Sequence, residues 1–549
     1  MAKGSDLLVS ALEREGVDRI FAAPGEQSLD LVESLRTSTI EFVLTRHEQA
    51  AAFMAATEGR LTGRPGICLS TLGPGALNLA AGAAYAQLGA MPMLIITGQK
   101  PIKSARQASF QILDTLAAMR PLTKLTHQIA SAESIPTLIH DAFRVATAER
   151  LGPVHLELPE DVASEKSDTA LVPHQLINSP IAGTFAIERA AGLIAKAKCP
   201  IIMVGAAANR PHLVEPLSNF VRRTQIPFFN TPMGKGAVTG DSNCYLGTAL
   251  LLKHDHIHVA IRRADLVLAI GYDAVEKLPF RMGSSAGGPR VIHIGNLPAH
   301  VEQGFCPNAE VVGDIGAGVL ALADRLAGHI KIDTAMQALR KRILERINES
   351  SDCSDFPLKP QRIVRDVRAV MPDDGIVCLD NGMYKIWFAR SYRTHMANTL
   401  LLDNAQATMG AGLPSAIAAK MLNPNRRVLA VCWDGSFLMN SQELETAVRL
   451  KVDLVVLIIE DRAFGMICWK QAISSFRELG MSFGNPDFVQ YAKAYGAEGH
   501  RIGSAGQLVP TLDDAFGSGG VHVVVVPVDY RENINNPTDD STSELAAPC

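Results

Sequence analysis

No two of the nine cysteines stand in a C-x-x-C pair, and their number is odd. That spacing argues against a disulfide framework and against a zinc cage, and it fits a reducing cytosol. Lys and Arg do not outnumber Asp and Glu: the counts are 52 and 56, for a net charge of −4. The chain therefore lacks the basic excess that a nucleic-acid partner requires. No apolar core follows the opening Met-Ala-Lys-Gly-Ser-Asp, as a secretory leader would need. The one long apolar run, 79–98, is broken by Tyr85, Gln87, Gly89 and Pro92. It reads as a buried helix, a turn and a strand rather than a membrane span.

What remains is the composition of a folded interior: 47% hydrophobic, 20% charged and only 5% aromatic residues. At 549 residues the chain exceeds what one core organises, and about three domains of roughly 150–200 residues are expected. Short apolar strand candidates at 67–70, 93–97, 154–158, 201–204, 266–270, 291–294, 428–432, 454–459 and 521–526 alternate with helical stretches. An amphipathic helix over 7–15 precedes them. This alternation predicts α/β blocks with parallel sheets and helical crossovers. Polar stretches at 164–178 and 350–359 set the expected domains at 1–165, 180–335 and 358–532, with 533–549 a mobile tail.

The strand 428–432 runs into Trp433-Asp434-Gly435-Ser436-Phe437 and then a helical stretch from Ser441. Asp461 follows a second strand that ends in Glu460. Two parallel strands would thus set two carboxylates at one sheet edge, a donor set suited to Mg²⁺. Gly435 and Ser436 are small enough to let backbone amides approach a diphosphate, and a helix N-terminus favours its charge. On these residues alone, Asp434 as a helix cap and Asp461 as a turn closure stands as an equal reading. Glu48 follows a strand in Arg46-His47-Glu48-Gln49-Ala50-Ala51, and alone it reads as a carboxylate at a helix N-terminus. His47, His127, His155 and His293 lie on different elements and suggest no metal cluster.

Taken in order, Ala22-Ala23-Pro24-Gly25-Glu26, Arg46-His47-Glu48, Gly73-Pro74-Gly75-Ala76-Leu77-Asn78, Phe110-Gln111, Asp380-Asn381-Gly382-Met383-Tyr384, Ala407-Thr408-Met409-Gly410 and Trp433-Asp434-Gly435-Ser436 resemble the motifs of thiamine-diphosphate-dependent enzymes. Within that family the chain is most similar to the catalytic subunit of acetolactate synthases of the FAD-independent type. The resemblance implies three doubly wound parallel-sheet domains, pyrimidine-binding, central and diphosphate-binding. It implies thiamine diphosphate and Mg²⁺ as cofactors, and two molecules of pyruvate condensed to 2-acetolactate with loss of CO2. Thiamine chemistry needs a proton taken from the thiazolium carbon, which the cofactor's aminopyrimidine does once a carboxylic acid stabilises its imino tautomer.

The resemblance gives that acid role to Glu48 and a place in the substrate pocket to Gly25, Phe110 and Gln111. It assigns cofactor contacts to Pro74, Asn78, Asn381, Gly382, Met383, Tyr384, Gly435, Ser436, Ala463, Phe464, Gly465 and Met466. Met409 would bend the cofactor, and the Ala407 carbonyl would accept a pyrimidine hydrogen bond. Asp434, Asp461 and Ala463 are the implied metal ligands. A homodimer or homotetramer follows, with Glu48 of one subunit meeting Asp434 of another.

Several residues depart from the family pattern. Trp433 stands where the family has Gly, and Glu460-Asp461 where it has Asn-Asn, although Asp at the second place resembles the catabolic acetolactate synthases. Gly271-Tyr272-Asp273-Ala274-Val275-Glu276 replaces the flavin-holding Arg-Phe-Asp-Asp-Arg, which implies that FAD is absent. The glycine turns at 205–210 and 313–318 form no dinucleotide fingerprint. Trp469 lies one place before the family's acceptor-selecting Trp, and Lys470 occupies that position. The alternatives are another 2-keto acid decarboxylase or carboligase of the family, and a non-catalytic homologue in which Trp433 crowds the diphosphate loop.

Overall fold

Unbroken runs of Val, Ile and Leu have no polar face to turn to water, so they settle as central strands covered on both sides. The computed structural model describes residues 1–104, 108–173, 175, 179–250, 257–276, 282, 288–302, 304–328 and 334–531. It contains three six-stranded sheets in which every pairing is parallel. A short antiparallel pair, Ala2–Lys3 with Lys166–Ser167, stands apart. Each strand expected from the apolar runs is present, among them Gly66–Ser70, Leu266–Ile270, Val428–Trp433 and Leu454–Glu460. The apolar run at 79–98 forms the helix Ala80–Leu88 and the strand Met93–Gln99. Among the described residues, no helix is long and apolar enough to cross a membrane.

The first sheet runs, edge to edge, Glu41–Leu44, Arg19–Ala23, Gly66–Ser70, Met93–Gln99, Pro153–Pro159, Leu125–Gln128. The third runs Leu400–Leu401, Ile376–Leu379, Val428–Trp433, Leu454–Glu460, Val521–Pro527, Glu498–Arg501. Numbered along the chain, both follow the order 2-1-3-4-6-5, so the first and third blocks repeat one topology. The middle sheet differs: Tyr245–Thr248, Phe228–Asn230, Pro200–Val204, Leu266–Ile270, Arg290–Gly295, Ala309–Val312, the order 3-2-1-4-5-6. Its double winding is visible in the core. Ile202, Val204, Leu268 and Ile270 enter one apolar cluster, and Ile201, Met203, Val267 and Ala269 enter another. Alternate side chains of the same strands thus feed opposite faces, each fully buried Ile or Leu contributing roughly 1.5–3 kcal/mol.

The chain divides into two compact units. One comprises residues 1–178, 405–424 and 438–452; it holds the first sheet with the helices Gly412–Leu422 and Glu443–Arg449. The other comprises the remaining segments and holds the second and third sheets. The tail expected at 533–549 lies outside the described residues.

Candidate active site

An open parallel sheet leaves a crevice beyond the carboxyl ends of its strands, at the point where the strand order reverses. In the first sheet that point lies between Arg19–Ala23 and Gly66–Ser70, and in the third between Ile376–Leu379 and Val428–Trp433. Gly25 and Pro74 follow the first pair of strands; Asn381, Gly382 and Asp434 follow the second.

In the first unit, Glu48 opens the helix Glu48–Thr62, whose apolar run from Ala50 to Ala56 is fully buried. His47 caps it, Nδ1 accepting the Gln49 amide at 3.0 Å. The Glu48 side chain is 19% exposed and lies 4.0 Å from His47 Nδ1. Its Oε2 accepts from Asn78 Nδ2 at 3.0 Å. A Cβ on Gly75 would come within 3.3 Å of Glu48 Oε1, so glycine there leaves the carboxylate's face open. Pro74 and Asn78 begin and end one short helix. Gln111, at φ +57, stands over its entry: its carbonyl would be 2.9 Å from a Cβ on Gly73. Gly25 lies against Thr71, where a Cβ would meet the Thr71 Cβ at 2.5 Å. Gly25, Glu48, Pro74, Asn78 and Gln111 are thus assembled on this unit, while Phe110 is 68% exposed.

Two further residues of the same unit hold the Glu48 loop, and the sequence reading missed both. Glu443 is fully buried and accepts the Arg46 amide at 3.1 Å, the His47 amide and the Thr446 hydroxyl at 2.6 Å; burial raises its pKa. Asn440 Nδ2 donates to Gln49 Oε1 at 2.8 Å and to the Gly410 carbonyl at 2.9 Å. Gly410 directly follows Met409, and Ala407 has φ +52. These bonds tie segments nearly 400 positions apart, within one chain.

In the second unit, Asp434 is fully buried. Its Oδ1 accepts from the Gly435 amide at 2.8 Å, and its Oδ2 from the Arg462 amide at 2.8 Å and Asn485 Nδ2 at 2.7 Å. Asp461 Oδ1 accepts from the Ala463 amide at 3.2 Å and from the Trp433 indole N–H. Burial lifts both carboxyls above the usual range, Asp461 to about 7, and Asp434's charge adds to the rise at Asp461. A divalent cation beside them reverses that direction. Glu460 is engaged separately by Arg462 and Arg501. Among the described residues, no three His, Cys, Asp or Glu group as a metal site, so a cation at the aspartate pair would need other oxygens.

The residues expected to approach a diphosphate bond within their own loop. The Gly435 amide is spent on Asp434, and the Ser436 hydroxyl donates to the Trp433 carbonyl at 3.0 Å. The indole ring lies over Gly435, 2.5 Å from where a Cβ would stand. Trp433 packs edge-on against Phe464 and Phe483, with centroids 5.0 and 5.7 Å away. Asn381 Oδ1 accepts from Lys385 Nζ at 2.6 Å, and the Tyr384 hydroxyl reaches the Asp380 and Val431 carbonyls. Met383 Cβ would be 3.8 Å from a Cβ on Gly465, the first residue of the helix Gly465–Ile473. That helix carries Met466, Trp469 and Lys470 and buries none of its residues; Ala463 bridges to Ser482 just before it.

In the middle sheet, Gly205 and Gly271, at the ends of the strands Pro200–Val204 and Leu266–Ile270, are pressed together: a Cβ on Gly205 would stand 2.5 Å from the Gly271 carbonyl oxygen. Glu276, fully buried, accepts from the Thr231 hydroxyl at 2.6 Å, the Met233 amide at 3.1 Å and the Ala206 amide.

Comparison with known proteins matches residues 2–118 to the N-terminal TPP-binding domain of thiamine pyrophosphate enzymes, 187–322 to the central domain and 380–526 to the C-terminal TPP-binding domain. The acetolactate synthase of Bacillus subtilis is 32% identical over 99% of this chain and 96% of its own. The catabolic acetolactate synthase of Raoultella terrigena is 35% identical over 97% and 96%. The large subunit of acetolactate synthase isozyme 2 of Escherichia coli is 30% identical over 97% and 96%.

Proposed function

The chain belongs to the acetolactate synthase family of thiamine pyrophosphate enzymes, and we propose that it condenses two molecules of pyruvate to 2-acetolactate with release of one CO2. The observation that carries this reading is the Asp434–Asp461 pair at the carboxyl edge of the third sheet, the first fully buried and the second partly so, in a chain whose relatives over nearly its whole length are acetolactate synthases. The donor chemistry fits a Mg²⁺-bound diphosphate: two hard carboxylates, the Ala463 carbonyl, and at Asn485 a buried oxygen without a protein partner. When bound, thiamine diphosphate supplies the electron sink for the pair left behind as CO2 departs.

The chain's own residues supply position and protons. Glu48 holds or releases a proton at its carboxylate, and the Asn78 amide keeps Oε2 in place. Asp434 and Asp461 bind the cation that offsets diphosphate charge. Gly25, Phe110 and Gln111 line the space for the keto acid; Pro74, Asn381, Gly382, Met383, Tyr384, Ala407 and Met409 fix the orientation of the rings, which excludes water from the reacting carbon. No flavin is required, because Gly271 to Glu276 stand in place of the flavin-holding segment and Glu276 is turned onto the Met233 and Ala206 amides. The domains run 1–165, 180–335 and 358–532. The working molecule is a homodimer or homotetramer in the cytosol, a compartment consistent with free thiols at every described cysteine.

Mass analysis of products from pyruvate with thiamine diphosphate and Mg²⁺ tests this. Acetolactate from a colourless protein without added FAD is expected. Acetaldehyde alone would move the chain to the decarboxylases, and a yellow protein inactivated by flavin removal would overturn the cofactor assignment.

A further inference from the structure

Asn485 lies outside every motif that carried the resemblance, in the segment Phe483-Gly484-Asn485-Pro486-Asp487 ahead of the helix Phe488–Ala494. Its side chain nevertheless reaches the aspartate pair. Nδ2 donates to Asp434 Oδ2 at 2.7 Å and lies 3.5 Å from Glu460 Oε1. Two carboxylate acceptors settle which end of the amide faces them, since only the NH2 end donates. The other end, Oδ1, is buried and has no hydrogen-bond partner in the protein. A buried amide oxygen without a donor is costly, and such atoms are few in folded proteins. A hard cation relieves that cost directly.

The ligand count points the same way. Mg²⁺ prefers six oxygens in a near-octahedral shell. Asp461 Oδ1 is already taken by two N–H donors. A neutral amide oxygen adds a ligand without adding negative charge beside a diphosphate. We propose that Asn485 is a ligand of the divalent cation held by Asp434 and Asp461, with Oδ1 on the metal and Nδ2 bracing Asp434. This rests on the reading of that pair as the Mg²⁺-diphosphate anchor.

The experiment uses the full-length protein and two variants. Calorimetric titration with thiamine diphosphate at graded Mg²⁺ should show Asn485→Ala needing roughly tenfold or more Mg²⁺ for half-saturation. In Asn485→Cys, Cd²⁺ alone should produce an ultraviolet thiolate-to-metal band in excess of the one that the wild-type protein's own thiols give, and that excess should be lost on adding Asp434→Asn. Wild-type and Asn485→Ala proteins that take up thiamine diphosphate at the same Mg²⁺ would overturn the inference and leave the site reading intact. Weakened uptake in Asn485→Ala without the excess Cd²⁺ band in Asn485→Cys would make Asn485 a brace for Asp434 and overturn its role as ligand. A wild-type protein that takes up no thiamine diphosphate at any Mg²⁺ would overturn the site reading and this inference with it.

Discussion

An amide keeps the shape of a carboxylic acid but cannot give up its proton. Glu48→Gln is therefore expected to retain the fold and most of the affinity for thiamine diphosphate, while slowing deuterium exchange at the thiazolium carbon by roughly a hundredfold or more. Exchange at the wild-type rate, followed by proton NMR, would remove Glu48 from its assigned role. Trp433 separates stability from binding. Its ring is 4% exposed and sealed by Phe464 and Phe483, so Trp433→Gly should cost about 3 kcal/mol or more through the cavity it leaves. The same change uncovers Gly435 and frees Asp461, so diphosphate affinity should rise. A lower melting temperature with unchanged or weaker affinity would show that the indole supports the loop. At this scale the sequence disclosed Asp434 and Asp461, because each ends an apolar strand. It concealed Glu443 and Asn485, whose partners lie 397 and 51 positions away and meet them only through the fold.

Among elements, the loop from Gly271 to Glu276 makes a claim that pH can test. Burial pushes the Glu276 carboxyl from 4.5 up to about 7. Between those values the folded protein holds a proton that the unfolded chain has released, so this group's contribution to stability declines as pH rises through that window and is level above it. Glu276→Gln removes the titration. The melting temperature of the variant relative to wild type should climb from pH 4.5 to 7 and then hold, by an amount equivalent to about 1–3 kcal/mol; a difference independent of pH would show that Glu276 does not titrate there. Strand legibility follows burial too. Leu454–Glu460 is buried at every position and was evident as an apolar run. The edge strands Leu125–Gln128 and Glu498–Arg501 contain no fully buried residue, and Leu400–Leu401 has only two residues; none carries enough hydrophobic signal to be seen before its neighbour in the sheet is known.

For the whole molecule, mixing two kinds of chain tests how the Glu48 site is completed. The family resemblance places Asp434 of a second subunit there, and two inactive variants distinguish the possibilities. Co-expressed Glu48→Gln and Asp434→Ala chains that pair at random should recover about a quarter of wild-type activity if sites are shared, because each hybrid then contains one intact site. No recovery would place the site within one chain. The first unit also has a history imposed by synthesis. It is assembled from residues 1–178 and from segments that begin only at residue 405. At 5–20 residues per second, the 226 residues between those points take roughly 11–45 s to make. Thr57, in the buried helix that begins at Glu48, hydrogen-bonds to Ser415 at 2.9 Å, so that helix waits on the ribosome with one wall missing. The part of the molecule made first is among the last to close, and for that interval its apolar face is open to chaperones and to other nascent chains.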